Sequence, residues 1–210
     1  MKRILIIDDY AVVRDGVKKI FDEQPNTVVF GEASTASEAL KLVRDQNWDL
    51  AVLDLSLGNK SGLDVLKEFK QIRPRLPVLI LSMHSEEEYV RRAFKAGASG
   101  YITKDSSSAE LAKAVNKVAA GGRYVTSALA EQLVFDLGRN SDLPPHKSLS
   151  DREFEVMRLI ASGQTITEIA ELLSLSDKTI STYRARLLEK MGMKTNAELT
   201  RYAIHNKLID

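Results

Sequence analysis

The chain contains no cysteine, only five prolines, few aromatic residues and no apolar run longer than four residues. Without thiols it cannot build disulfide frameworks, cysteine-ligated zinc or iron–sulfur sites, or a thiol nucleophile. A membrane-crossing helix needs roughly 18 consecutive apolar residues, so none is expected. The start, MKRILIIDD, does not read as a signal peptide, because its apolar run stops at Asp8. No charge of one sign prevails either. With 30 Lys and Arg against 29 Asp and Glu, the net charge of +1 carries no bulk hint of nucleic acid, and such a role must rest on local charge. What remains is a 210-residue chain, 44% hydrophobic and 28% charged, able to bury one or two cores without staples.

Up to about Gly122, short apolar runs alternate with helix-period segments. RILII, TVVFGEA, DLAVLD, PVLILS and GYITK read as strands. Between them apolar residues recur at helical spacing, as in Ala36, Ala39, Leu40 and Val43, or Leu111, Ala114, Val115 and Val118. Thr35 with Glu38, Ser85 with Glu88, and Ser107 with Glu110 have capping-box spacing. Continuous apolar strands separated by single helices predict a five-stranded parallel sheet covered on both faces, an α/β domain over 1–122. Residues 123–147 predict a linker with one short helix, since RYVTSALAEQLVFDL is followed by the Gly-, Ser- and Pro-containing GRNSDLPPHKS. From 148 to 210 only helices are expected. Ser150, Thr165, Ser176 and Thr195 open four of them, making a small all-α domain.

Ligands of an open parallel α/β sheet gather beyond the carboxyl ends of its strands. Here those ends carry Asp8 and Asp9, then Asp54, then Ser82, then Lys104. Three acids crowded together repel one another, and a hard divalent cation relieves the repulsion; an all-oxygen, partly hydrated site suits Mg2+. The turn after the first strand, DDYAVVRDG, lacks the glycines and hydroxyls of a direct phosphate cradle, and no Walker loop is present. The economical chemistry makes Asp54 a carboxylate nucleophile toward phosphorus, with Lys104 neutralising a phosphoryl oxygen and the Ser82 hydroxyl donating to another.

At these positions the chain resembles the receiver domain of two-component response regulators, over roughly residues 1–122. The acid pair, VLDLSL, SGLDVL and LILSMHSEEEYVRRAFKAGASGYITKD carry the likeness. The resemblance implies a flavodoxin- or CheY-like fold and a partner sensor histidine kinase that supplies a phosphoryl group to Asp54. It implies Mg2+ ligation by Asp9 directly, by Asp8 through water, by Asp54 and by the main-chain carbonyl of Ser56, with Ser82 and Tyr101 as the switch pair. Gly58 departs from the pattern, standing where such domains usually have proline, so the loop's preset geometry is in question. His84, two residues past Ser82, is left outside the site.

TITEIAELLSLSDKTISTYRARLLEKMG has helix–turn–helix grammar. Ile166, Ile169, Ala170 and Leu173 form the packed side of its first helix; Ile180, Leu187, Leu188 and Met191 form that of its second. Lys178, Arg184, Arg186, Lys190 and Lys194 against Glu189 make a local basic stripe. From about Lys147 to Ile209 the chain resembles LuxR-type domains of the NarL/FixJ subfamily. That likeness implies a second helix in the major groove of double-stranded DNA, Ser181, Thr182 and Ala185 toward base edges, and Lys178, Tyr183, Arg184 and Lys190 on phosphates. It also implies a homodimer formed on phosphorylation or DNA binding, with the last helix as a dimer surface, and RNA polymerase as a further candidate partner. The expectation is therefore a cytoplasmic regulator of transcription. It is not an enzyme beyond catalysing its own phosphorylation and dephosphorylation. A Mg2+-dependent phosphatase using an aspartyl nucleophile is a rival, but it needs a second acid two residues past Asp54, where Ser56 stands. A DNA binder with a passive receiver is another, against which the intact acid–lysine set argues.

Overall fold

The computed structural model of the protein describes residues 2–21, 28–57, 60–84, 87–127, 129–130 and 144–209. The chain divides into two compact units, 1–138 and 139–210. Among the described residues no helix is long and apolar enough to cross a membrane.

The first unit is built on β1 (Lys2–Ile7), β2 (Val28–Ala33), β3 (Leu50–Leu53), β6 (Val78–Ser82) and β7 (Gly100–Thr103). These pair in parallel, in the order β2-β1-β3-β6-β7. The five apolar runs of the sequence thus become one five-stranded parallel sheet, and the α/β class expected from patterning holds. The central strands β3 and β6 are buried along their whole length, as strands covered on both faces must be. Helices α1 (Ala11–Lys19), α2 (Ala36–Asp45), α3 (Gly62–Ile72), α4 (Glu87–Lys95) and α5 (Ser108–Ala119) make the covers. Alternate strand residues face opposite ways. Ile4, Ile6, Leu50, Val52, Leu79, Leu81 and Ile102 pack with Val17 of α1 and with Ala114, Val115 and Val118 of α5. The intervening residues, Tyr101 among them, point to the other face. Thr35 and Ser107 cap α2 and α5 as their spacing predicts, each accepting the N–H three residues on. Ser85 lies outside the described residues. A two-strand antiparallel hairpin, β4 (Ser56–Leu57) and β5 (Lys60–Ser61), was not legible, because two-residue strands have no period to read.

The second unit holds α6 (Asp151–Ala161), α7 (Ile166–Leu172), α8 (Asp177–Met191) and α9 (Asn196–His205). Ser150–Glu153 and Thr165–Glu168 form complete capping boxes, while Ser176 and Thr195 cap α8 and α9. Phe154, Met157, Ile169, Ile180, Leu187, Leu199 and Ala203 form buried positions of the four helices. Glu153 is buried with them and is held by more than its cap, for the Lys190 ammonium lies 2.7 Å from its Oε2. Burial pushes the Glu153 carboxyl up, but Lys190 and the Ser150 N–H and hydroxyl outweigh it, holding the carboxyl below its ordinary range.

A carboxyl depressed in the folded state contributes stability above its unfolded pKa, and that contribution disappears as pH falls through the folded value. Glu153→Gln should therefore destabilise the helical unit at neutral pH, and its deficit against the parent should close as pH falls from neutral to below the ordinary glutamate range. Urea unfolding followed through the α6 amide signals checks this; a deficit constant over that range contradicts it.

Candidate functional site

Sheet register places the site. Past the last regular residues, pairing continues: Asp8 N–H donates to Ala33 O at 3.2 Å, Asp54 N–H to Ile7 O at 2.9 Å and Lys104 N–H to Ser82 O at 2.8 Å. The polar residues that end β1, β3 and β7 are thus held by the same ladder that orders the strands. Asp8, Asp9 and Asp54 each bring a carboxylate oxygen within 4.8 Å of the others. Asp8 and Asp54 are buried, whereas Asp9 is exposed. Between the buried pair sits Lys104, its Nζ 2.7 Å from Asp8 Oδ2 and 2.8 Å from Asp54 Oδ2.

Burial pushes the Asp54 carboxyl up to about 6. Lys104 opposes that rise by hydrogen bond and charge, the neighbouring Asp8 adds to it, and the Ser56 N–H opposes it. For Lys104 burial works against the ammonium, yet Asp54 and Asp8 more than compensate and hold it above its usual value. The cluster has three carboxylates against one ammonium.

A close backbone approach sets the loop after Asp54. Gly62 N–H donates to Leu55 O at 2.9 Å. A Cβ at Gly62 would stand 2.3 Å from Asp54 O and 2.5 Å from Leu55 Cα, so only glycine fits. Ser56 lies in β4, exposed. Gly58, the departure noted in the sequence, lies outside the described residues.

Ser82 and Tyr101 are both fully buried. Ser82 Oγ accepts the His84 N–H at 3.2 Å, and the Tyr101 hydroxyl donates to His84 O at 2.6 Å. Burial holds the Tyr101 phenol well above its ordinary value. The His84 ring stacks on Tyr89 with centroids 4.1 Å apart. Sequence reasoning passed over the apolar residues beside the acids. Tyr10, next to Asp9, is 63% exposed with its ring 5.8 Å from Lys104 Nζ, and Met83, next to Ser82, is 71% exposed. Their signal was a large apolar residue immediately after a polar strand end, where the chain has left the core.

In the second unit, α7 and α8 are joined through a turn in which Ser174 takes a positive φ of 51°. The Thr167 hydroxyl ties the two helices by donating to Asp177 Oδ2 at 2.9 Å. Ile180, Leu187, Leu188 and Met191 are buried, which turns Lys178, Ser181, Thr182 and Ala185 outward; Tyr183 and Arg184 are half-buried. Arg184 Nε donates to Asn196 Oδ1 at 2.8 Å, and Thr182 Oγ1 donates back to Lys178 O at 2.9 Å. Lys190 is exposed but engaged with Glu153. Arg186, outside the set of candidate contacts, lines one surface hollow with Ser176, Lys178, Thr179, Thr182 and Tyr183.

Comparison with known families matches residues 4–116 to the response regulator receiver domain and residues 147–203 to the bacterial regulatory proteins of the luxR family. Response regulator UvrY of Escherichia coli K12 is 32% identical over 209 residues, covering 99% of this chain and 96% of UvrY. The chain belongs to the LuxR-type (NarL/FixJ) response regulators. Among solved structures, the Salmonella typhimurium RcsB response regulator is similar with TM-score 0.67 at 26% identity, covering 96% of this chain and 97% of RcsB. A structure of two RcsB dimers bound to two parallel DNAs is similar with TM-score 0.60 at 25% identity and the same coverage of each chain.

As a response regulator the protein is a regulator of transcription rather than a metabolic enzyme. Its receiver implies a histidine kinase partner, and its LuxR-type domain implies DNA binding. Receiver domains generally use Mg2+, and the donor set here fits that ion. Asp8 Oδ2 is buried and makes no hydrogen bond of sound geometry, although the Lys104 ammonium is 2.7 Å away. That contact balances charge without satisfying direction. Hard carboxylate oxygens, one of them unsatisfied, with two more negative than positive charges, suit a divalent cation.

Gly62→Ala should destabilise the receiver by about 1–3 kcal/mol, because its methyl meets backbone that cannot swing aside. Denaturant unfolding read on receiver amide signals measures the loss; an unchanged midpoint removes Gly62 as a steric requirement.

Proposed function

We propose that this response regulator accepts a phosphoryl group on Asp54 from a sensor histidine kinase in a Mg2+-dependent reaction. The modified receiver then promotes homodimerisation and sequence-specific binding to duplex DNA. The observation that supports this most directly is the meeting of Lys104 with the buried Asp8 and Asp54 carboxylates beside Asp9. In the transfer, an Asp54 carboxylate oxygen forms a bond to phosphorus as the bond from phosphorus to the donor imidazole nitrogen breaks. The electron pair returns to the imidazole. Asp9, Asp8 through water, Asp54 and the Ser56 carbonyl would hold Mg2+, which when bound supplies positive charge at the phosphoryl oxygens. Lys104 neutralises an oxygen of the arriving group from the position it already holds. The Ser82 hydroxyl donates to another, and Tyr101 responds as the switch residue.

We read residues 1–122 as the receiver, 123–147 as the linker and 148–210 as the DNA-binding domain, acting in the cytoplasm. Helix α8 enters the major groove with Ser181, Thr182 and Ala185 toward base edges, while Lys178, Tyr183 and Arg184 hold phosphates. Lys190 reaches a phosphate only by leaving Glu153. Arg186, exposed beside Lys178, joins the contact set more readily. Small base-facing residues supply few bidentate contacts, so two heads on one operator must add affinity. The RcsB dimers seen on DNA support that arrangement. RNA polymerase is a further partner consistent with control of transcription.

Asp54→Ala should take up no label from acetyl phosphate with Mg2+ and keep the parent's circular dichroism. The labelled parent, unlike the variant, should double its mass by light scattering. Quantitative labelling of the variant would falsify the acceptor assignment. Arg184→Ala should weaken binding to a pool of random duplexes and lower the slope of log affinity against log salt by about 1. A slope equal to the parent's takes Arg184 off the phosphate contacts.

A further inference from the structure

At the amino ends of β3 and β6, the end of the sheet opposite Asp54, two turns border a hollow of about 500 Å3. Residues 46–49 follow α2, and residues 73–77 follow α3. Asn47, Trp48, Arg73, Pro74, Arg75 and Leu76 line the hollow, whose volume is that of a small-molecule site. Its walls are held by bonds that a ligand need not make. Arg73 Nε and Nη2 donate to Val43 O at 3.3 Å and Arg44 O at 3.2 Å, tying one turn to the end of α2. Trp48 Nε1 donates to Leu42 O at 3.0 Å, and the Arg3 guanidinium lies 5.0 Å from the indole ring while bonding Gln46 Oε1. The indole also presses on β2, where a Cβ at Gly31 would stand 2.2 Å from Trp48 Cη2. Lys70 Nζ donates to Leu76 O at 2.6 Å, and Leu76 N–H to Arg73 O at 3.0 Å, which closes the second turn.

The lining carries two guanidinium groups and, among the described residues, no carboxylate. Elsewhere on this unit Arg14, Lys18, Lys60 and Lys67 each meet a carboxylate. Arg73 spends donors on two carbonyls, where its charge suits the carbonyl end of a helix. Arg75 has no such duty: it is exposed, and no described residue engages its side chain. A guanidinium fork matches the oxygens of a phosphate two at a time. Beside the cations, Trp48 and the exposed Pro74 offer apolar surface. The Asn47 amide, also exposed, both donates and accepts, as the polar edge of a purine requires.

We propose that this hollow binds a purine nucleoside phosphate, with the base against Trp48 and Pro74, the Asn47 amide on the base edge and the phosphate on Arg73 and Arg75. Three parts of the lining thereby serve three parts of one ligand. Inorganic phosphate uses only the arginines, and a bare nucleoside only the wall and the amide. Because the turns are already fixed to α2, β2 and α3, binding orders little of the protein. The site lies at the far end of the sheet from the acids and does not rest on the acceptor reading of Asp54.

Trp48 is the only tryptophan of the chain, so tryptophan emission reports on this hollow. The test titrates the full chain with AMP, adenosine and inorganic phosphate at constant ionic strength, exciting at the red edge of indole absorption. AMP should change the emission saturably with a midpoint below about 1 mM, and adenosine and inorganic phosphate should each bind about tenfold more weakly. Arg75→Ala should keep the parent's urea midpoint, its side chain being exposed, and bind AMP about tenfold more weakly. Arg75→Lys, which keeps the charge and loses the fork, should fall between the two. The absence of a saturable change with AMP up to about 10 mM overturns the proposal. Adenosine or inorganic phosphate binding as tightly as AMP overturns it too, as does parental AMP affinity in Arg75→Ala.

Discussion

One ammonium between two buried carboxylates governs the receiver. Asp8 and Asp54 sit at the ends of adjacent strands, pulled below the surface by the ladder that orders the sheet. Neither carboxylate would tolerate the other without Lys104, which arrives from a strand two places along from β3 in the sheet and touches both. The arrangement is strained by charge count rather than by geometry, since two negative charges face one positive before Asp9 is added. That residual imbalance gives the site its appetite for a divalent cation and for a phosphoryl group that a cation can bridge.

The two units solve different physical problems. The first buries its polar chemistry at the edge of a sheet, where backbone pairing holds side chains in register and burial raises the Asp54 carboxyl. The second spends its buried surface on four helices, each opened by a hydroxyl cap, and leaves its chemistry on the exposed face of α8. Buried carboxylates give a site sensitivity to a small ligand, whereas exposed cations and hydroxyls give a surface that meets a large, regular one.

The strands were legible because short, continuous apolar runs leave little choice in an α/β chain, and the helix starts because a hydroxyl three residues before a glutamate has a mechanism. Asp8, Asp54 and Ser82 stood out because each follows an apolar run directly, and Asp9 and Lys104 because each stands one residue further on. Gly62, the hairpin at Ser56–Ser61 and the return of Tyr124 to β7 were not legible. Each depends on an approach between backbones distant in sequence or too short to show a period. The engagement of Lys190 by Glu153 was hidden likewise, because the two residues lie on different helices.

The amino-acid order alone settled the class of fold, the alternation of strand and helix, the caps, and which residue types end which strands. Those follow from local pattern, which each segment carries within itself. Only the tertiary structure decided that β3 lies beside β1, and so that Asp54 meets Asp8. It likewise decided that Lys104 reaches both, that the Tyr101 ring turns inward to His84, and that its amide is bonded to Tyr124. Strand order and side-chain contact come from how separate segments share one core, and no segment contains that information by itself.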